Sequence, residues 1–151
     1  MSKEIERKYL VCGSSYRHQA IQKKDMMQGY LSLDPDATVR IRIVGDKAFI
    51  TVKSRNIGAV RNEWEYPVPV EEAKEMLCSC CKSRLIEKTR YIVEAPHNLK
   101  WEIDEFHGSL DGLVIAEIEL PDEDFEVALP DFIGENVTGN PRYYNSSLAS
   151  L

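Results

Sequence analysis

The chain has 151 residues, 43% of them hydrophobic and 29% charged. That is the composition of one globular domain spanning residues 1–151, and it is too apolar for a disordered chain. Nineteen Lys and Arg against 25 Asp and Glu leave a net charge of −6, which excludes the broadly basic surface that general nucleic-acid binding needs. No apolar run approaches the ~18 residues of a membrane-spanning helix, and the charged start Met1–Lys8 is no export signal, so no membrane partner and a cytoplasmic location are expected.

Alternation with period two dominates the chain. Residues 3–11 read as a strand, and Gly13-Ser14-Ser15 then allows a turn or short helix. Residues 26–33 and 37–44 are strands joined through Asp34-Pro35-Asp36, a turn sequence. Residues 47–54 follow Gly45-Asp46 as the next hairpin partner. Residues 60–68 form a strand ended by Pro67 and Pro69. The spacing predicts one helix over 70–81, with Glu71 and Glu72 favouring its N-terminus. Its stripe Ala73, Met76, Leu77, Cys80, Cys81 follows i, i+3, i+4, i+7, i+8, so Cys80 and Cys81 read as small core residues. Cys78 and Cys81 have C-x-x-C spacing, but no second cysteine pair accompanies them and the three histidines are scattered. Strands resume at 83–94, 98–106 and 112–120, and Arg142–Ala149 closes the chain as a terminal helix. Eight strands with few helices imply a mostly β (α+β) fold, an antiparallel sheet or barrel with helices outside.

The pleat sends alternate side chains to opposite faces. One parity carries Val39, Ile41, Ile43, Ile50, Val52, Trp64, Tyr66, Val68, Trp101, Ile103, Val114, Ala116, Ile118 and Leu120, an apolar face that requires cover. The other carries Glu4, Glu6, Lys8, Arg40, Arg42, Lys53, Arg61, Glu63, Glu65, Lys88, Arg90, Glu102, Asp104, Glu117 and Glu119. Like charges recur in i, i+2 pairs, strand by strand. A solvated face gains nothing from that segregation, whereas a binding site does. Clustered Arg and Lys neutralise a polyphosphate, and clustered carboxylates hold hard cations such as Mg²⁺ or Mn²⁺. Closing the sheet would place this face in a polar, charged lumen, an inside-out barrel whose hydrophobic contacts lie outside. On the same parity argument Trp64 and Trp101 are core residues. His107-Gly108 and Asp111-Gly112 shape a turn, Asp122-Glu123-Asp124 is a helix N-terminal cap region or a solvated run, and Arg142 either packs or closes over a tunnel mouth.

In order along the chain, Glu4-Ile5-Glu6-Arg7-Lys8 resembles the E-x-E-x-K signature of the CYTH, or triphosphate tunnel metalloenzyme, superfamily. Thr38-Val39-Arg40-Ile41-Arg42 is similar to its R-x-R strand, Thr51-Val52-Lys53 to its lysine strand and Glu63-Trp64-Glu65 to its E-x-E strand. Lys88-Thr89-Arg90-Tyr91, Glu102-Ile103-Asp104 and Glu117-Ile118-Glu119 resemble the remaining strands, and Tyr144–Ala149 the C-terminal segment of short bacterial members. The resemblance implies an eight-stranded antiparallel closed β-barrel with helices packed outside, a tunnel that binds a small-molecule triphosphate with Mg²⁺ or Mn²⁺. Glu4, Glu6, Glu117 and Glu119 are then implied as metal ligands, and Arg40, Arg42, Lys53, Lys88 and Arg90 as the triphosphate cradle, joined by Lys8 and Arg61. Lys8, Tyr30, Glu63 and Asp104 are implied as the catalytic set, with Tyr30 beside Lys8. Glu63, Glu65, Glu102 and Asp104 either orient the basic side chains or approach metal or water. The resemblance also makes a homodimer reasonable. The expected reaction is hydrolysis of inorganic tripolyphosphate to pyrophosphate and phosphate. A class IV adenylate cyclase, a thiamine triphosphatase and a non-catalytic polyphosphate or nucleotide sensor are the alternatives. No distinct base-recognition segment favours a cyclase, and the four expected metal glutamates favour an enzyme over a sensor.

Overall fold

The computed structural model describes residues 2–150. In chain order it consists of β1 (Ser2–Val11), α1 (Tyr16–Gln19), β2 (Gln22–Ser32), β3 (Thr38–Val44), β4 (Lys47–Lys53), β5 (Val60–Val68), α2 (Val70–Ser79), β6 (Ile86–Ala95), β7 (Leu99–Phe106), β8 (Val114–Glu119), β9 (Ile133–Asn136) and α3 (Asn145–Leu148), with single 3₁₀ turns at Gly108–Leu110 and Pro141–Tyr143. The sheet order is β5-β4-β3-β2-β6-β7-β8-β1-β9, and β5 also pairs with β1. That last pairing, Glu4 against Arg61, closes the first eight strands into an antiparallel barrel. Strand β9 borders β1 beyond the point where β5 leaves it. Closure removes the free sheet edges that an open sheet would expose. No helix among the described residues is long and apolar enough to cross a membrane.

Cross-strand partners share a face, so the register tests the parity argument directly. Lys8 pairs with Glu117 and Glu6 with Glu119, Glu117 with Glu102, Arg90 with Asp104, Arg40 with Thr51, and Lys53 with Glu63. All lie inside the barrel, whose wall is therefore charged within and apolar without. Two cores cover the outside. Helix α2 lays Ala73 and Leu77 on Ile41, Ile43 and Ala48. On the opposite flank Tyr9, Tyr16, Trp101, Ile103, Ala116, Ile118 and Phe132 form the larger core, where Tyr9 and Trp101 meet edge to face with ring centroids 5.6 Å apart. A third cluster lies at one end of the lumen: Tyr30, Ile86, Phe106 and Ile115 pack with Leu148 and Ala149 of the C-terminal segment.

Several expectations are corrected. Strand β2 starts at Gln22 instead of 26, because backbone pairing with β6 extends through the polar Lys23, Lys24 and Asp25. Helix α2 ends at Ser79, which takes Cys80 off the helical stripe. Cys80 is exposed, and only Cys81 packs against the core. Tyr66, placed by parity on the covered face, is 58% exposed, and of this part of β5 only Val68 packs against the α2 cluster. The terminal helix shrinks to Asn145–Leu148 after the 3₁₀ turn, and β9 has no forerunner in the strand pattern.

Gly29 of β2 faces α2, and its lack of a side chain sets their distance. A Cβ there would lie 2.6 Å from Cys81 Sγ and 3.0 Å from Cδ2 of both Leu77 and Leu85. Gly29→Ala should therefore lower stability by about 1–3 kcal/mol through overpacking. Urea denaturation measures this, and the double variant Gly29→Ala/Cys81→Ala should recover part of the loss. A neutral Gly29→Ala would show that α2 is not held at this spacing.

Candidate active site

The lumen contains a cavity of about 250 Å³. Its walls include thirteen of the charged residues singled out by parity: Glu4, Glu6, Lys8, Arg40, Arg42, Lys53, Arg61, Glu63, Glu65, Arg90, Glu102, Glu117 and Glu119. Tyr30 lines it too. Lys88 and Asp104, only 1% exposed each, are not among the lining residues. They sit behind the wall, where Asp104 accepts from Lys88 Nζ at 2.7 Å and from Arg90 Nε and Nη2 at 2.7 and 2.9 Å. Asp104 thus fixes the plane of the Arg90 guanidinium with two parallel bonds. Glu102 completes the clamp at 3.1 Å from Arg90 Nη1.

A second clamp holds Lys53, whose Nζ lies 3.1 and 3.2 Å from the two Glu4 oxygens and 3.2 Å from Glu63 Oε2. A third holds Arg40: Nη2 donates to Thr51 Oγ1 at 3.3 Å, and Thr51 donates to Glu65 at 2.7 Å. Arg40 Nε is buried with no partner. Arg42, Lys8 and Arg61 bond only to neutral oxygens: Gln28 Oε1 at 2.8 Å, the Tyr143 carbonyl at 3.1 Å and the Ser54 carbonyl at 3.0 Å. Burial, with Arg40 and Arg90 repelling, pulls Arg42 down to about 9. Among the described residues none of the three forms a salt bridge, although Lys8 stands beside Glu117 across the β1–β8 pair.

The carboxylates mirror them. Burial, with Glu117 and Glu4 adjacent, drives Glu6 well above the usual range. Glu6 shares a hydrogen bond with Glu117. Burial opposes the charge of Glu117 as well, but Lys8, that bond, Arg90 and Lys88 hold its carboxyl well below the usual range. Glu119 is raised by burial and by Glu4 and Glu102. Among the described residues, no three Asp, Glu, His or Cys side chains are gathered as a ready-made metal cage. The set fits a hard cation held by one or two carboxylates and completed by phosphate oxygens, which is how Mg²⁺ commonly binds. Carboxylates crowded against one another, beside guanidinium groups that form no salt bridge, are what such a complex would satisfy.

Residues outside the parity pattern also reach the cavity: Thr38, Asn56, Thr138, Tyr144, Asn145 and Ser146. Asn145 Oδ1 lies 3.4 Å from Lys88 Nζ and 3.5 Å from Gln28 Nε2. The aromatic neighbour of Lys8 is Tyr144, with Nζ 5.7 Å from the ring centroid. Most of these lie in loops and in the C-terminal segment, which carry no period, so only the resemblance of Tyr144–Ala149 to a terminal segment pointed toward them.

Lys88 yields a pH prediction. Burial pulls its amine down to about 7, because Asp104 is shared with Arg90 and the charges of Arg90 and Arg42 oppose it. A polyanion that neutralises Arg90 and Arg42 removes that repulsion and raises the Lys88 value. Binding of tripolyphosphate near pH 7.5 should then take up a proton, and affinity should rise as pH falls through this window. Calorimetry in buffers of different ionisation enthalpy measures the uptake, with Lys88→Met as the reference. Equal uptake by the variant would remove Lys88 from this role.

The CYTH domain model matches residues 2–148. The chain is 48% identical over 150 residues to an inorganic triphosphatase of Acetivibrio thermocellus, covering 98% of this chain and 94% of that one. It is 37% identical over 149 residues to an inorganic triphosphatase of Nitrosomonas europaea, covering 97% and 96%. A crystal structure of an inorganic triphosphatase superposes with a TM-score of 0.64 at 34% identity, over 99% of this chain and 95% of that chain. With the strand motifs in order around one charged lumen, these matches place the chain in the CYTH domain family.

Proposed function

We propose that this protein hydrolyses inorganic tripolyphosphate to pyrophosphate and orthophosphate with Mg²⁺ or Mn²⁺. The observation that carries the reading is the mismatch inside the lumen: Arg42, Lys8 and Arg61 form no salt bridge among the described residues and bond to neutral oxygens, while Glu6 and Glu119 are crowded with other acids. The named activity of the two relatives supports it. Arg40, Arg42, Lys53, Arg61 and Arg90 grip the phosphates, and Lys8 neutralises charge at the inner end. Glu4, Glu6, Glu117 and Glu119 hold the metal, which when bound supplies charge neutralisation and an acidified water. Asp104 and Glu63 act through Lys88, Arg90 and Lys53, fixing cations that would otherwise swing away from the in-line geometry that phosphoryl transfer demands. Tyr30 contributes a wall beside the inner end. Attack by water forms a new P–O bond at a terminal phosphorus and releases pyrophosphate.

The deciding experiment measures phosphate release from tripolyphosphate, ATP and thiamine triphosphate with each metal, and cyclic AMP from ATP. Orthophosphate from tripolyphosphate at the highest kcat/KM is the expected result. Cyclic AMP with pyrophosphate would establish a cyclase instead, and tight binding without turnover would establish a sensor.

A further inference from the structure

The lumen is a cup with unlike ends. Its open end is rimmed by acids: Glu65 and Glu102 have side chains 41% and 37% exposed, and Glu119 is exposed. Its inner end is closed on one side by the apolar cluster of Tyr30, Ile86, Phe106, Ile115 and Leu148. On the other side its wall includes the ring of Tyr144. Lys8 Nζ and the Arg61 guanidinium carbon each lie 5.7 Å from its centroid. Asn56 Nδ2 donates to the Tyr144 hydroxyl at 2.9 Å, and the hydroxyl donates to the Gly139 carbonyl at 3.2 Å. The Tyr144 carbonyl accepts from Leu148 N at 2.9 Å at the start of α3. The ring is pinned at its face, its tip and its backbone.

A second cavity of about 400 Å³ lies behind it, lined by Arg55, Ser146, Ser147 and Ser150 together with Leu33 and Pro35. Both cavities share Thr38, Asn56, Arg61, Gly139, Tyr144 and Ser146 as walls. Tyr144 has the bulkiest side chain of the six, and it alone contributes an aromatic ring to the partition. Guanidinium and hydroxyl donors in the second cavity suit phosphate oxygens; Arg55 Nε is engaged by Asp36 and Ser150 Oγ by the Ser146 carbonyl, which leaves the other Arg55 N–H groups and the Ser146 and Ser147 hydroxyls.

We propose that Tyr144 determines phosphate-chain length, forming the back wall that limits the site to three phosphates and excludes longer linear polyphosphates. The proposal rests on the triphosphatase reading. Each added phosphate adds negative charge. A longer chain projecting outward meets the carboxylates of the open rim, where like charge opposes it. A longer chain projecting inward meets the Tyr144 ring. Removing that ring joins the two cavities and gives the extra phosphates the outer Arg55 N–H groups and the Ser146 and Ser147 hydroxyls to bind.

The test compares wild type, Tyr144→Phe, Tyr144→Ala and Tyr144→Ala/Ser147→Trp on tripolyphosphate and on linear polyphosphate of longer defined length. Two readouts are taken: the ratio of kcat/KM for the long chain to that for tripolyphosphate, and the same ratio of affinities by calorimetry on metal-free protein. Tyr144→Ala should raise both ratios about tenfold or more, the scale on which pocket shape discriminates between substrates. Tyr144→Phe, which keeps the ring, should leave them within about twofold, and Trp at position 147 should restore discrimination by refilling the second cavity. Unchanged ratios in Tyr144→Ala, or equal losses on both substrates, would overturn the proposal and leave Tyr144 as packing for Lys8. If wild type fails to hydrolyse tripolyphosphate, the triphosphatase reading fails, and the affinity ratios still decide the role of Tyr144. Thermal melts verify folding, with Tyr144→Val replacing Tyr144→Ala in every arm if the alanine variant does not fold.

Discussion

Asp104→Ala should lower stability by about 3–5 kcal/mol, the cost of leaving buried charges without their partner. Asp104 is 1% exposed and is the anion for both Lys88 and Arg90, themselves 1% and 8% exposed. It accepts three hydrogen bonds from them, at 2.7–2.9 Å. The two attractions outweigh the burial that opposes its ionisation and hold Asp104 below the usual carboxylate range. Without it, Lys88 sheds its proton more readily, since burial already depresses it and Arg90 and Arg42 repel it more than Glu117 attracts it. Arg90 keeps its charge and loses its two-bond brace. Urea denaturation gives the stability change. Turnover on tripolyphosphate gives the functional one, expected to fall with kcat affected more than KM because Arg90 loses orientation. A loss under about 1 kcal/mol would mean that water replaces the carboxylate, contrary to a dry clamp.

The second large effect concerns the carboxylates on the other side of the lumen, and it separates function from stability. Glu6→Ala and Glu119→Ala should each reduce metal-dependent turnover by about 10³-fold, equivalent to several kcal/mol of transition-state stabilisation. Arg61→Ala at the partition should cost far less. Stability should not follow. Glu6 is buried against Glu117 with Glu4 nearby, so Glu6→Gln relieves crowding of like charge and should leave the metal-free protein as stable as wild type or more so. Parallel measurement of turnover and unfolding distinguishes this from general disruption. Full metal-dependent turnover in Glu6→Ala and Glu119→Ala would remove these residues from metal binding.

The two predictions differ because the lumen mixes two kinds of charge. Asp104, Glu63 and Glu102 are engaged with cations of the wall, and they carry structure. Glu6 and Glu119 are set against other acids, an arrangement that a fold retains when something outside the chain satisfies it. Parity treats all of these residues alike, since it assigns a side to each side chain and nothing else. Only contact geometry sorts them into braced and unbraced groups.

Sequence alone determined the wall of this protein. A two-residue period is local, and in an antiparallel sheet the face of a side chain follows from its position in the strand. The i, i+2 pairs from Glu4 and Glu6 to Glu117 and Glu119 therefore identified the charged face before any contact was known. Closure was an inference there. It became a fact through the Glu4–Arg61 pairing of β1 with β5, a contact between distant segments that no local pattern encodes. The ends of the lumen were beyond the sequence for the same reason. Lys8 meets the Tyr143 carbonyl across 135 residues, and Asn145 meets Lys88 across 57, both through a terminal segment with neither strand nor helical period. Position within a strand decides which way a side chain points, but only the packing of the whole chain decides what stands opposite it and where the cup is closed.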